Sequence, residues 1–161
     1  MSFFRYSLSF LFCLAGFISS AQQEEMIYKS YIRTVQLHQY GNQQGLPLYT
    51  LNSGDQVQLG FDDLEGSLKN YYYTYVLCDY NWQPVNLNPF DYIKGFTQNR
   101  ISTYRYSSIA FTRYTHYQAI LPDRNAAVPT RSGNYLLKIF LDGDTSKLVF
   151  SKRMYVLDPK V

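Results

Sequence analysis

The sequence contains few of the residues that carry metal-binding or redox chemistry: two cysteines and two histidines among 161 residues. Cys13 lies in an apolar N-terminal stretch, and Cys78 is the only cysteine outside it, so we expect no intramolecular disulfide. His38 and His116 lie far apart, and neither stands at metal-ligand spacing from another histidine or cysteine. The sequence therefore predicts no metal centre, and Cys78 is expected to be a buried, unreactive side chain in a strand.

Charged residues are also scarce, at 17% of the chain, and the two signs nearly balance, with 15 Lys and Arg against 12 Asp and Glu. No basic run or stripe is present, so the sequence lacks the electrostatic footprint that phosphate backbones and anionic lipids require. We expect no nucleic-acid partner and no direct insertion into a membrane.

Motifs of the common catalytic sites are missing as well: the sequence has no glycine-rich phosphate loop, no nucleophile elbow and no His-Glu-x-x-His helix. Asp62, Asp63 and Glu65 could form a pair of acid-base carboxylates or part of a calcium shell. An acidic turn between strands is the simpler interpretation, because short acidic side chains bond to nearby backbone there. We therefore expect no enzyme, no catalytic residue and no cofactor.

The N-terminus has the pattern of a cleaved export signal. Arg5 supplies a positive charge, residues 8–18 form an apolar run, and Ser19-Ser20-Ala21 offers a small-residue cleavage site. An anchor helix is the alternative, but this run is shorter than the about 20 residues that a bilayer core requires. The sequence predicts a signal peptide over residues 1–21 and a single domain over residues 22–161.

The dominant pattern along the rest of the chain is alternation of apolar and polar residues, as in Val57, Leu59 and Phe61. No stretch of helix length carries an apolar stripe of period 3.6, which argues against alternating helices and parallel strands. About eight strands are predicted: residues 30–38, 48–51, 57–61, 71–80, 101–106, 114–121, 135–141 and 147–157. The sequence predicts an all-β antiparallel sandwich.

Gly133-Asn134-Tyr135-Leu136-Leu137 resembles the entry to the sixth strand of immunoglobulin-like domains. There a tyrosine hydroxyl bonds back to nearby backbone at the strand corner. Leu137 stands where antibody domains place their second cysteine. We predict an immunoglobulin-like antiparallel β-sandwich without its disulfide, with Tyr135 and Leu137 buried.

The longest stretch without alternation, residues 81–99, is unusually aromatic for a loop. Long irregular connections in compact domains are commonly functional or self-packed. We predict that Trp82 and Tyr92 are exposed and bind a protein partner, and that Phe90 and Phe96 pack under the loop.

The 17 tyrosines of the chain permit a second hypothesis, a secreted carbohydrate-binding sandwich, because flat rings stack on sugar faces. Tyr71, Tyr73 and Tyr75 should share one face of a strand and Tyr72 the other, which equally fits ordinary cross-strand packing. A third hypothesis is an assembly or chaperone-like module that offers an edge strand to a partner.

Several motifs occur together in one order along the chain after the signal. They are Phe61-Asp62-Asp63-Leu64, Asn70-Tyr71-Tyr72-Tyr73-Thr74 followed by Cys78 and Asn81-Trp82, Tyr114-Thr115-His116-Tyr117, Ser132-Gly133-Asn134-Tyr135-Leu136-Leu137-Lys138, and Asp142-Gly143-Asp144. In combination they resemble the first domain of the type 9 secretion system plug proteins.

This resemblance implies a periplasmic β-sandwich module, associated with the outer membrane through its partner. The partner it implies is the outer-membrane type 9 translocon protein, a very large barrel whose periplasmic end the plug protein closes when no substrate is exported. The family brings no cofactor and no catalytic residue, and its members continue well beyond a first domain.

Overall fold

A computed structural model of the chain describes residues 25–108, 111, 113–123 and 126–160. The predicted signal peptide, residues 1–21, lies outside this part of the chain. The regular structure described is eleven strands and one short 3-10 turn, Pro89–Asp91. The strands are β1 Ile32–Gln39, β2 Leu48–Thr50, β3 Val57–Asp63, β4 Tyr71–Cys78, β5 Ile93–Gly95, β6 Asn99–Arg100, β7 Thr103–Tyr106, β8 Thr115–Leu121, β9 Ala127–Pro129, β10 Gly133–Leu141 and β11 Leu148–Leu157.

The main strands form two sheets. One has the order β1-β3-β8-β7 and the other β2-β11-β10-β4-β6. Neighbouring strands are antiparallel except for β2, which pairs in parallel with β11. This order is that of an immunoglobulin-like sandwich, in which strands A, B, E and D face strands G, F, C and C′. Within the described residues no helix is long and apolar enough to cross a membrane.

The eight strands predicted from alternation are confirmed, with ends that differ by a few residues. Three short strands were not predicted: β5, β6 and β9. β5 pairs with β9 in a separate two-stranded ribbon, and β6 pairs with the start of β4. Segments of two or three residues are too short to show a period, so pairing with a distant part of the chain decides their conformation.

Aromatic rings from both sheets fill the core. Val57, Leu59 and Phe61 of β3 are fully buried, as the alternation predicted. Phe61 stacks on Tyr117 of β8 with ring centroids 5.2 Å apart and meets Tyr71 of β4 edge-on at 5.0 Å. Each such pair adds about 0.5–1.5 kcal/mol beyond the area that it buries, so the tyrosines act mainly as core residues.

The predicted tyrosine corner is confirmed. Tyr135 is fully buried near the start of β10, and its hydroxyl donates a hydrogen bond of 2.9 Å to the carbonyl oxygen of Arg131. Leu137, two residues further along, is also fully buried. The structure shows Cys78 as a free, buried cysteine and no disulfide among the residues that it describes.

Candidate functional site

Three long connections meet at one end of the sandwich, which we call the loop end. They join β1 to β3, β4 to β6 and β8 to β10. The strand registers bring them together, since Val57 pairs with both Gln39 and Leu121, and Cys78 pairs with Asn134. Binding residues commonly lie on loops that a rigid scaffold holds in place. The loop end is therefore the candidate site.

The ribbon of β5 and β9 shapes this end. The Phe96 amide donates a 2.8 Å hydrogen bond to the carbonyl oxygen of Ala126, next to the paired residues Gly95 and Ala127. Gly95 has φ +98°, and a Cβ there would lie 2.1 Å from the Ala126 oxygen. Only glycine fits so close an approach of two backbones, so Gly95 is required for the ribbon.

A cleft of about 640 Å³ opens between this ribbon and the connection from β1 to β3. Its lining includes Tyr49, Leu51 and Asn52 from that connection and Lys94, Val128 and Thr130 from the ribbon side. Lys94 is the only charged residue in the described lining. Such a lining suits a partner's side chain or a short peptide, because it offers apolar surface with a few polar groups.

The prediction that Trp82 is exposed is wrong: only 8% of it is accessible. The Asp79 carboxylate accepts hydrogen bonds from the amides of Asn81 and Gln83, and this turn holds Trp82 at φ +62°. The indole therefore folds back over the outer face of the five-stranded sheet. It lies 5.6 Å from the Tyr155 ring and under the Arg153 guanidinium at 4.4 Å, in a small cluster with Cys78 and Leu136.

Tyr92 is also buried, with 4% accessible, which contradicts its predicted exposure. It ends the 3-10 turn, and its ring lies 6.1 Å from that of Tyr135. Its carbonyl oxygen accepts a 2.9 Å hydrogen bond from the Thr130 amide. Burial raises the pKa of its hydroxyl. Tyr92 therefore joins the loop end to the core, and its role in binding a partner stays a prediction.

Phe90 and Phe96, which were predicted to pack under the loop, are instead 72% and 71% exposed. Phe90 lies in the 3-10 turn, which has no buried residue, and its amide is capped by the Asn88 side chain. Phe96 follows the ribbon strand β5. Nothing in the local sequence distinguishes Phe90 and Phe96 from the two buried rings. Trp82 and Tyr92 are buried because they contact Tyr155 of β11 and Tyr135 of β10, which are distant in sequence.

The carboxylates of Asp62 and Asp63 lie on opposite faces of β3. Asp62 points outward, and its carboxylate lies within hydrogen-bond distance, 2.6 Å, of Nδ1 of His116 on β8. Asp63 points inward and is fully buried. Its carboxylate accepts a 2.7 Å hydrogen bond from the Tyr71 hydroxyl and forms a 2.8 Å ion pair with the Lys69 ammonium. Alternation along the strand separates the two carboxylates, so they do not form the acid-base pair considered from the sequence.

Lys69 stabilises the connection between β3 and β4 through its ion pairs. Burial lowers the pKa of its ammonium, but ion pairs with Asp63 and Glu65 outweigh that effect, and the pKa is raised. The ammonium also lies 3.8 Å from the centroid of the Tyr31 ring. Removing Lys69 would leave the buried carboxylate of Asp63 without a compensating charge. Asp63 of the Phe61-Asp62-Asp63-Leu64 motif therefore has a structural role.

A family model for the first domain of the type 9 secretion system plug protein matches residues 32–158. The chain belongs to that family. The match runs from the start of β1 to just beyond the end of β11 and therefore covers both sheets of the plug domain. It confirms the resemblance drawn from the motifs, and it supports a role in type 9 secretion.

The plug domain is similar to the crystal structure of a hypothetical protein from Parabacteroides merdae ATCC 43184 at 2.30 Å resolution. The TM-score is 0.77 and the sequence identity 25%, and the match covers 82% of this chain and 33% of that one, so the chain spans about a third of its length. An alkylpurine DNA glycosylase from Pseudomonas fluorescens, bound to DNA containing an abasic site analog, matches at a TM-score of 0.36 and 10% identity, over 76% of this chain and 30% of that one. No curated protein matches the sequence significantly.

The structure also bears on sugar binding, metal binding and thiol chemistry. Tyr71, Tyr73 and Tyr75 are buried, so they cannot form an exposed platform for sugar rings. Among the described residues, no group of three or more His, Cys, Asp and Glu side chains is placed to hold a metal ion. Burial raises the pKa of the Cys78 thiol, which disfavours the reactive thiolate.

Proposed function

We propose that this plug domain is a non-catalytic periplasmic module that helps to close the periplasmic end of the outer-membrane type 9 translocon by protein contact. The family match over residues 32–158 is the observation that carries the proposal. The export signal predicted over residues 1–21 supports the periplasmic location. No observation on the described residues favours the alternative of a carbohydrate-binding function.

The loop end is the surface that suits this contact. Phe90 and Phe96 expose most of their rings there, and the cleft beside β5 is ready to receive a partner's side chain. Covering an exposed aromatic ring removes apolar area from water, and aromatic residues are enriched at protein interfaces. The ribbon held by Gly95 presents these groups on a defined backbone, so little ordering cost is added on binding.

Binding of the full chain to the purified translocon, measured by surface plasmon resonance, tests the proposal. Phe90→Ala and Phe96→Ala should each weaken binding by about 2 kcal/mol if the ring is an interface anchor. Both variants should keep the wild-type melting temperature, because neither ring contributes to the core. Leu68→Ala is the matched control: Leu68 is an exposed apolar residue in the connection from β3 to β4, at the opposite end of the sandwich.

The outcomes separate the two parts of the proposal. If the wild-type chain binds no translocon, contact by this domain alone is wrong. If the wild type binds but the two phenylalanine variants bind equally well, the loop end is the wrong surface.

A further inference from the structure

The outer strand β7 leaves one edge of the four-stranded sheet open. One side of Thr103–Tyr106 pairs with β8, and no strand among the described residues pairs with the other side. All four of its residues are exposed. Backbone N–H and C=O groups on an open edge can pair with another extended chain, so β7 is a potential site for an added strand.

The other outer strands are shorter or interrupted. β1 carries an irregularity between Arg33 and Gln36, where Thr34 has φ +52°, and such bulges hinder pairing with another strand. β2 has three residues and β6 has two. The register of β7 on β8 runs without a shift over four residues. Among the outer strands of the two main sheets in the described part of the chain, β7 therefore combines an unshifted register over its whole length with four exposed residues.

The side chains of β7 are of the types that anchor protein interfaces. Tyr104 and Tyr106 are 38% and 56% exposed, and their rings meet edge-on at 5.6 Å. Tyr104 also rests against the buried Tyr117 ring at 6.0 Å. Partly fixed tyrosines provide large contact areas and lose little side-chain freedom on binding.

The charge around this edge is positive. Arg100, Arg105 and Arg113 are exposed, and none forms an ion pair with another described residue. Of the carboxylates on neighbouring strands, Asp62 is paired with His116. Asp123 lines a groove with Arg100 and has partners of its own. The arginines are therefore free to pair with carboxylates of a partner.

We propose that β7 binds an extended, acidic segment of a partner protein, which joins the four-stranded sheet as a fifth strand. The backbone of the segment pairs with the open edge, Tyr104 and Tyr106 pack on its side chains, and Arg105 pairs with a carboxylate. A second copy of this chain fits less well, because pairing β7 with itself would bring like arginines together across the new edge. The site lies apart from the loop end and does not rest on closure of the translocon.

Calorimetric titration of the full chain with a short peptide of alternating threonine and glutamate tests this proposal. Two control peptides isolate its parts: one has lysine in place of glutamate, and the other is acidic but has alternate backbone amides methylated. The acidic peptide should bind at least about tenfold more tightly than either control, because the lysine peptide loses a charge-assisted hydrogen bond and the methylated peptide loses several backbone hydrogen bonds. Amide NMR shifts should change along β7 and β8.

Arg105→Glu should weaken binding of the acidic peptide by at least about tenfold. Lys160→Glu makes the same change of charge beyond β11 and should leave the affinity unchanged. Thermal melts of both variants should match the wild type, since both side chains are exposed.

Three results would overturn the proposal. The first is the absence of binding by the acidic peptide. The second is equal binding of the methylated or lysine peptide, or an unchanged affinity of Arg105→Glu. The third is a dimer in sedimentation that Arg105→Gln strengthens, because relief of the repulsion between like arginines would make a second copy the occupant.

Discussion

Gly95 is the residue on which the shape of the loop end depends most directly. It combines a left-handed φ of +98° with a site for Cβ that the Ala126 carbonyl oxygen occupies. Its requirement cannot be deduced from the sequence, where Gly95 follows Lys94 with no turn signature. The constraint comes from β9, which lies more than 30 residues further along the chain.

Gly95→Ala should therefore destabilise the domain by about 2 kcal/mol or more, through backbone strain and overpacking together. Urea unfolding of the variant measures the change. Gly54→Ala provides a control, because a Cβ at Gly54 would meet nothing within 4 Å and its φ is not positive. Equal stabilities of the two variants would show that β5 and β9 are not paired as described.

Trp82 shows at the same scale why the exposure of single aromatic residues was predicted wrongly. A tryptophan in an irregular segment has the same local sequence whether it faces water or packs on a sheet. The Asp79 turn and the partners Tyr155 and Arg153 decide the outcome. Those partners belong to β11, which no pattern in the loop reveals.

Trp82→Ala is expected to cost about 3 kcal/mol of unfolding free energy, because it empties the small cluster on the outer face of the second sheet. Guanidinium unfolding measures this loss. The folded fraction of the variant should bind the translocon as the wild type does. A variant with unchanged stability and weakened binding would restore Trp82 as an interface residue.

At the scale of elements, alternation was a reliable guide, because a period of two reports one-sided burial directly. It predicted the inward face of β4, with Tyr71, Tyr73 and Tyr75, and the inward face of β10. It gave no indication of β5 and β9. Each has three residues, and pairing between the two strands decides their conformation. The exposed rings of residues 81–99 are consequently Phe90 and Phe96, and not Trp82 and Tyr92 as predicted.

The buried tyrosines of β4 predict an alkaline limit to stability. Burial raises the pKa of the hydroxyls of Tyr71, Tyr73 and Tyr75 above the ordinary 10.0. Above about pH 10 the unfolded chain loses these protons while the folded chain keeps them, so the free energy of unfolding falls as pH rises. Urea midpoints measured on both sides of pH 10 should show this decline.

Tyr75→Phe is the informative variant for this effect. The Tyr75 hydroxyl is buried and has no hydrogen-bond partner among the described residues. Its removal should leave stability at neutral pH unchanged or higher, since it relieves an unpaired polar group. It should also reduce the alkaline decline. Constant stability through the tyrosine titration range would contradict the burial of these hydroxyls.

At the scale of the whole molecule, strand order, the Tyr135 corner and the family match all indicate an immunoglobulin-like plug domain. Its two open surfaces differ in chemistry. The loop end offers exposed phenylalanines and a cleft, whereas the β7 edge offers tyrosines, arginines and unpaired backbone. The two proposed contacts therefore use different surfaces of the domain.

The most direct test of the proposed plug function is the conductance of a single translocon barrel in a planar lipid bilayer. The current is measured before and after the full chain is added to the periplasmic side. Wild-type chain and Leu68→Ala should reduce the conductance, and Phe90→Ala should do so only at higher concentration. A conductance that saturating wild-type chain leaves unchanged would contradict closure of the translocon by this domain.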